Sequence, residues 1–451
     1  MPEESRRKFL KGAGAASVIA LAGCQGDNGD GGDTGGDTGG DTGGDTGGDS
    51  GGDTGGDSGG DTGGGDEMIK VGFIESLTGP FAAPGQRRLW ATEAAVDRVN
   101  EMGGINGREI ELLVRDTETD PGVATTKAQS LINDENVELM CGTFSSSVCL
   151  AVGPVASRNQ VPYSAGYCAT RRLTGPDCTA YAFRGTRNNA ELQWMALGPY
   201  MSDDLGYDSA SIMYADYAWG QSELEQFKRF FDGEVLSEVP VPAGTEDFSQ
   251  YLSNVDTSGD ALVYIQAGGD SINLLQQIQN FGTHQEVEKI VSTGAGIGEF
   301  LGEAGIDPEV ATSLLAVNWY PKNATGPLDT EANNEFQSIY SEYADEPLPT
   351  RSSSTGWEAI HLFRDIAAEI DYTGPDQARE FVDTWRGFEM EESLAYPQGP
   401  KYYRPDNQAQ VNQYITEVQE DYTEQIIDTI PYDETDDYEI TCPGEWIQGE
   451  G

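Results

Sequence analysis

From Ile69 onward, short β-rich runs alternate with helical stretches, and the alternation happens twice. In the first block, strands are expected at Ile69–Ser76, Glu109–Asp116, Val137–Cys141 and Val161–Ser164, with helices at Leu89–Met102 and Gly122–Ile132. In the second, strands at Ala210–Tyr214, Glu234–Val239, Ala261–Gln266 and Lys289–Thr293 are separated by helices beginning near Gly220, Ser249 and Asp270. Strands spaced by helices of this length make βαβ units and a parallel sheet. Roughly 385 residues follow Asp66, too many for one α/β core, so the expectation is two lobes, each a parallel sheet flanked by helices, with a hinged cleft between them.

Ligands in open parallel sheets sit beyond the carboxyl ends of the strands. That rule selects Leu77–Gln86, Thr143–Cys149 and Ala165–Thr174 in the first lobe, and Asp216–Gly220, Ala267–Asp270 and Gly294–Gly298 in the second. Two sets of loops facing each other enclose a cleft that closes by hinge motion.

The chain before Glu67 has another character. Ser5–Lys11 reads SRRKFLK, and a weakly apolar stretch from Gly12 to Gly23 follows. A membrane-spanning helix needs ~20 mostly apolar residues, so this is the core of a removable export signal. It resembles a twin-arginine signal closing on a lipobox, Leu21-Ala22-Gly23-Cys24, in which Cys24 receives the lipid. Residues 25–66 are almost wholly Gly, Asp, Thr and Ser in GGDT or GGDS steps, a solvated spacer that buries no core and lacks the large apolar residues of stacking calcium repeats.

The formal charge is −51, with 77 Asp and Glu against 26 Lys and Arg. Such a surface excludes nucleic acid as a partner, because phosphate neutralisation needs clustered cations. Its self-repulsion calls for screening by salt, and in this the chain resembles proteins of salt-loving archaea.

The run IKVGFIESLTGPFAAPGQ, then EAAVDRVNEMGGINGREIELLVRDTETDP, the GTFSSS loop and SAGYCATRRLT resemble the branched-chain amino-acid-binding proteins of ABC importers, from about Met68 to Val418. The most specific parts are Thr78-Gly79-Pro80 with Gly85, the Gly103–Gly107 turn and the Asp116–Pro121 segment. The resemblance implies a two-lobed periplasmic-binding-protein type I fold, divided as residues 67–185 plus 318–388 and 186–317 plus 389–451. It implies a monomeric receptor whose partners are a small-molecule ligand and the permease and ATPase subunits of an importer, with no cofactor and no metal.

It further implies that the ligand carboxylate meets Ser145, Ser146 and Ser147, with Ser146 the best match, and the segment Cys168, Ala169 and Thr170. Backbone N–H groups and hydroxyls ahead of a helix make such an anion site without a lysine, although serines there also serve as plain helix caps. Gly85, Gly268, Gly296, Trp219 and Trp357 complete the expected contacts, a tryptophan face suiting an apolar group or a cation. Helix packing accounts for Trp357 equally well.

Two departures bear on the ligand. The family places an acidic residue after the strand at Lys289–Thr293, where it pairs with the substrate ammonium; this chain has Gly294-Ala295-Gly296-Ile297-Gly298. The aromatic of the preceding loop is replaced by Ala267-Gly268-Gly269. The resemblance points to a branched-chain or hydrophobic amino acid. An ammonium left unpaired is costly unless Asp216 or Asp270 reaches it, which points instead to an amide, a urea-like compound or a carboxylate without an amino group.

Catalysis finds no support. There are two histidines, His284 and His361, and no nucleophile elbow, P-loop or histidine metal motif. Passing ligand occupancy to a signalling partner is a reading that sequence does not separate from transport. Of six cysteines, Cys168 and Cys178 bracket a short loop and are candidates for a disulfide, as suits a location outside the cell; Cys141, Cys149 and Cys442 then leave one unpaired. Asn323-Ala324-Thr325 is a glycosylation sequon.

Overall fold

A computed structural model describes residues 68–293, 301–321, 326–346, 348–435 and 439–445. The export signal with Cys24, the spacer, Gly296 with its loop, and the sequon at Asn323 lie outside the described residues. Below, strands are numbered in chain order, as are helices of eight residues or more.

The first lobe is β1 (Ile69–Glu75), α1 (Ala82–Glu101), β2 (Ile110–Asp116), α2 (Pro121–Asn133), β3 (Leu139–Gly142), α3 (Ser146–Arg158), β4 (Tyr163–Ala165) and β5 (Ala182–Arg184). Its sheet runs β2-β1-β3-β4-β5, all parallel. The second lobe opens with α4 (Ala190–Pro199), β6 (Ser209–Ala215), α5 (Ala218–Phe230), β7 (Glu234–Val241), β8 (Ala261–Ile265), α6 (Gly269–Phe281), β9 (Lys289–Ser292) and β10 (Leu314–Asn318). The chain then supplies α7 (Glu331–Tyr343), α8 (Arg351–Glu369) and α9 (Ala378–Trp385), of which α8 packs along α1 of the first lobe. A small antiparallel sheet, β11 (Glu389–Met390), β12 (Lys401–Tyr403) and β13 (Ala409–Val411), leads to β14 (Gln413–Val418) and β15 (Glu424–Ile430).

The second sheet runs β15-β14-β10-β9-β8-β6-β7, and β14 and β15 are antiparallel. It is therefore mixed, where the strand pattern had led us to expect a purely parallel sheet. The last two strands form a hairpin that reaches the sheet from the C-terminal part of the chain.

Local chemistry explains the elements. Strands β3, β8 and β10 are buried at every position, the continuous apolar signature of a parallel sheet covered on both faces. Asp120 caps α2 by accepting from Gly122 N (2.7 Å) and Val123 N (2.8 Å), with Pro121 in the first turn, a cap worth about 1 kcal/mol. Helix α1 starts at Ala82, seven residues before the position expected from sequence. Pro84 falls in its first turn, where the missing N–H has no intrahelical acceptor to lose.

The cysteines pair differently from the expected Cys168–Cys178 bridge. Cys149 bonds Cys168 and Cys178 bonds Cys442, while Cys141 is free and buried. Cys149 projects from α3 toward the segment after β4, and Cys178 meets a tail that is distant in sequence, so spacing along the chain misidentified both partners. Among the described residues no helix is long and apolar enough to cross a membrane.

Candidate ligand-binding site

The carboxyl ends of β1, β3 and β4 carry the first-lobe loops. Asp116 ties the first of them down, accepting from Leu77 N (3.0 Å) and from Thr78 Oγ1 (2.7 Å). The serine loop leaves β3 through Gly142 and Thr143, both at positive φ, and enters α3 at Ser146. There Ser146 Oγ accepts from Ala169 N (3.3 Å) and Thr170 N (3.2 Å). Both acceptor directions of that hydroxyl are thus satisfied by backbone, so its proton is free to be donated into the cavity that Ser146 lines.

That cavity has about 310 Å³ of empty space counted out to its mouth, of which about 20 Å³ admits the centre of a water molecule. It is a narrow slot between the two sets of loops. Phe144, Ser146, Tyr167, Ala169 and Arg187 line it from the first-lobe side. Tyr217, Trp219, Ala267, Thr293 and Trp319 line it from the second. Phe144 stacks on Tyr167 at 4.5 Å between centroids, and Tyr167 meets Trp319 at 5.4 Å across the cleft.

Arg187 sits at the centre of this arrangement, in the segment that leaves β5 for the second lobe. Its guanidinium lies 4.0 Å over Trp319 and 4.7 Å over Tyr167. It donates to Tyr167 O (2.8 Å), Asn188 O (2.9 Å) and Gln193 Oε1 (3.1 Å), all neutral acceptors. Among the described residues no carboxylate pairs with it, and burial pushes its pKa down to about 10. The nearest acid, Glu223, accepts both Trp219 Nε1–H and Trp194 Nε1–H at 2.7 Å each. Burial pushes Glu223 up to about 7 against those two bonds. Trp319 Nε1 is buried and has no hydrogen-bond partner among the described residues. The slot therefore offers hydrogen-bond donors and aromatic faces, and a cation that feels the charge of Glu223 but has no hydrogen-bonded carboxylate among the described residues.

Sequence-expected residues divide clearly. Ser146, Ala169 and Trp219 line the cavity. Ser145 and Ser147 flank Ser146 without lining it, and Ser145 N-caps α3 with no side-chain hydrogen bond. Thr170 contributes its N–H, while its hydroxyl accepts from Arg172 N (3.4 Å). Cys168 is committed to a disulfide. Gly85 faces away: a Cβ there would lie 2.0 Å from Ser76 O, so glycine allows α1 to press on the end of β1. Gly268 sits on the rim at φ +59, where a Cβ would approach Pro80 O to 2.9 Å. The loops of the two lobes touch at that point.

Trp357 is a packing residue and does not line the cavity. It is fully buried, rests on Phe336 at 5.1 Å and His361 at 4.6 Å, and donates to Leu394 O (2.7 Å). A helix hydrophobic on most sides needs a large residue there, and that need explains the tryptophan. Asp216 and Asp270 do not reach the slot either; they accept from Gln221 Nε2 (3.2 Å) and Gly244 N (2.7 Å). Phe144 and Tyr167 fall in loops that the strand-end rule selects without being singled out there, whereas Arg187 and Trp319 escaped the sequence reading altogether. Strand β5 has three residues, too short to recognise. Had it been recognised, the loop rule would have selected Arg187.

Comparison with known proteins agrees with this architecture. A family model described as periplasmic binding protein matches residues 68–423. A Leu/Ile/Val-binding protein homolog of Brucella suis biovar 1 is 29% identical over 238 residues, covering 51% of this chain and 59% of that relative, less than two thirds of its length. A solute binding protein of an ABC transporter from R. palustris, solved in complex with benzoate, superposes with a TM-score of 0.71 at 20% identity, covering 81% of this chain and 97% of that one. LivJ from Streptococcus pneumoniae, a branched-chain amino acid transporter substrate binding protein solved with isoleucine, gives 0.69 at 20% identity, covering 81% and 100%.

Proposed function

The chain belongs to the periplasmic binding protein family, and we propose that it captures a small planar carboxylate without an amino group outside the cytoplasm and passes it to an ABC importer. The observation that carries this reading is Arg187, a buried guanidinium whose hydrogen-bond partners among the described residues are all neutral, set between the faces of Tyr167 and Trp319. A buried charge is stable only when paired, and a ligand carboxylate supplies the missing anion with charge-assisted, bidentate geometry. Ser146 Oγ–H is a second donor for it. The flat faces of Phe144, Tyr167, Trp219 and Trp319 suit a planar body in a narrow slot. The benzoate complex of the relative from R. palustris supports the same ligand class.

A branched-chain amino acid is the second reading, supported by the isoleucine complex and by the name of the Brucella relative. Against it, its ammonium would enter a slot with a guanidinium and, among the described residues, no lining carboxylate. Titration calorimetry on protein lacking residues 1–66, in molar salt, decides between them. We expect benzoate-class acids to bind one-to-one and isoleucine not to. Isoleucine binding alone restores the amino acid; binding of neither class, by protein that melts cooperatively, removes the small-carboxylate reading.

The same proposal makes the protein a lipoprotein, exported by the twin-arginine route and held by a lipid on Cys24. A single short acyl chain binds membranes only marginally, so the anchor is read as a double-chain lipid. Cys24→Ser is expected to release the protein into the medium, read by immunoblot of cell and supernatant fractions.

A further inference from the structure

The cavity's polar floor is assembled from two separate segments. One is the first turn of α3, which carries Ser146. The other is the run after β4, whose Ala169 and Thr170 N–H groups converge on Ser146 Oγ. Cys149 follows Ser146 by three residues, and Cys168 immediately precedes Ala169. The Cys149–Cys168 bond, with 6.4 Å between Cα atoms, therefore joins these two segments next to the hydrogen bonds that aim the Ser146 proton. Both cysteines are fully buried, on the side of α3 that packs into the lobe.

Other ties between the segments sit elsewhere. Gly166 N donates to Gly142 O (2.6 Å) and Tyr167 N to Thr143 O (3.0 Å), which fixes the loops where they leave the sheet. Arg184 holds Cys168 O and Thr170 O (2.8 Å), and Ala190 N donates to Ala169 O (2.9 Å), all from the opposite side. None of these joins the Ala169–Thr170 backbone directly to the first turn of α3. The second disulfide, Cys178–Cys442, touches no residue of the slot.

We propose that Cys149–Cys168 is a positioning crosslink of the anion site: it holds the Ala169 and Thr170 N–H groups on Ser146 Oγ, so that the hydroxyl proton stays aimed at the ligand carboxylate. This rests on the carboxylate reading above. The crosslink acts on the charged group of the ligand and leaves the aromatic faces alone. Its loss should therefore lower affinity for an acid more than for the isosteric amide, whereas general loosening of the lobe lowers both alike.

The test measures benzoate and benzamide binding by calorimetry on the full chain in detergent and molar salt. It compares wild type, Cys149→Ala/Cys168→Ala, Cys178→Ala/Cys442→Ala and Ser146→Ala, and adds Ser146→Ala to the first pair. Removing Cys149–Cys168 is expected to weaken benzoate by about tenfold, the scale of one misplaced hydrogen bond to a charged group, with little change for benzamide. Removing Cys178–Cys442 should lower the melting temperature and leave the benzoate-to-benzamide ratio as in wild type. In the Ser146→Ala background, opening Cys149–Cys168 should cost nothing further, because coupled groups are not additive. Should the alanine pair not melt cooperatively, Cys149→Val/Cys168→Ala refills the space the sulfurs leave, and the same ratio is read. An unchanged ratio in a folded variant, or full additivity with Ser146→Ala, overturns the crosslink's role and leaves the carboxylate reading standing. Failure of wild type to bind benzoate overturns both.

Discussion

The two walls of the slot are built from unlike materials. The first-lobe wall sets polar groups beside an aromatic pair: the Ala169 and Thr170 N–H groups and the Ser146 hydroxyl next to Phe144 and Tyr167, backed by a disulfide and by the fully buried Glu75–Arg88 pair at 2.6 Å. The second-lobe wall is aromatic, with Tyr217, Trp219 and Trp319, and one acid, Glu223, spent on orienting two indoles. Arg187, in the segment that leads from β5 to the second lobe, belongs to neither material. The difference teaches where each kind of selectivity resides. Charge is read by the polar groups of the first wall and by Arg187, shape by the aromatic faces of both walls.

The largest expected effect breaks that division at its centre. Arg187→Met should lower carboxylate affinity by about a hundredfold or more, since it removes the buried partner of a charge. The same change should raise or preserve the melting temperature of ligand-free protein, because an unpaired buried cation destabilises the fold. Calorimetry and thermal melting of one sample read both signs, and a fall in each would show that Arg187 is structural. Arg187→Lys should not restore binding, lacking the planar fork.

Next, Ser146→Ala and Thr170→Ala should separate binding from stability. The first should cost about tenfold in affinity, and the second about 1 kcal/mol of stability through lost capping of Arg172 N. Made together, they should weaken binding sharply.

At the rim, Gly268→Ala should cost a few-fold in affinity. It adds a methyl 2.9 Å from Pro80 O and strains a residue at φ +59, so the lobes close less fully. Small-angle scattering with saturating ligand would show the wider particle, and an unchanged profile would refute this contact.

The smallest effect concerns Glu223. Its folded pKa of about 7 lies above that of an exposed glutamate, so the folded state binds more protons than the unfolded one between about 4.5 and 7. Stability then falls as pH rises through that window and is level above it. Glu93, which burial also pushes to about 7, adds to the same slope. Glu223→Gln should remove only its own share, measured by urea melts from pH 4.5 to 8.

Legibility follows from how locally each feature is encoded. The parallel strands could be read because burial on both faces leaves an uninterrupted apolar run, as in Ala261–Ile265. The serine loop and Trp219 could be read because they follow recognisable strands. Strand β5 and Arg187 could not, because three residues carry no periodicity. The pairing of β14 with β10 and of Cys178 with Cys442, the latter across 264 positions, joins segments far apart in the chain, and no local pattern encodes such a meeting. Trp357 was ambiguous because a tryptophan on a mostly buried helix looks the same whether it packs against Phe336 or a ligand.

The Cys178–Cys442 bond also sets how the molecule bears tension. A pull applied at the two ends of the chain would run through the sulfur bridge and bypass the whole second lobe. The 264 positions it spans, roughly 900 Å of contour at full extension, could not lengthen until the bridge was cut. A single-molecule stretching trace should therefore lack that length under oxidising conditions and gain it in one step of accessible contour after reduction.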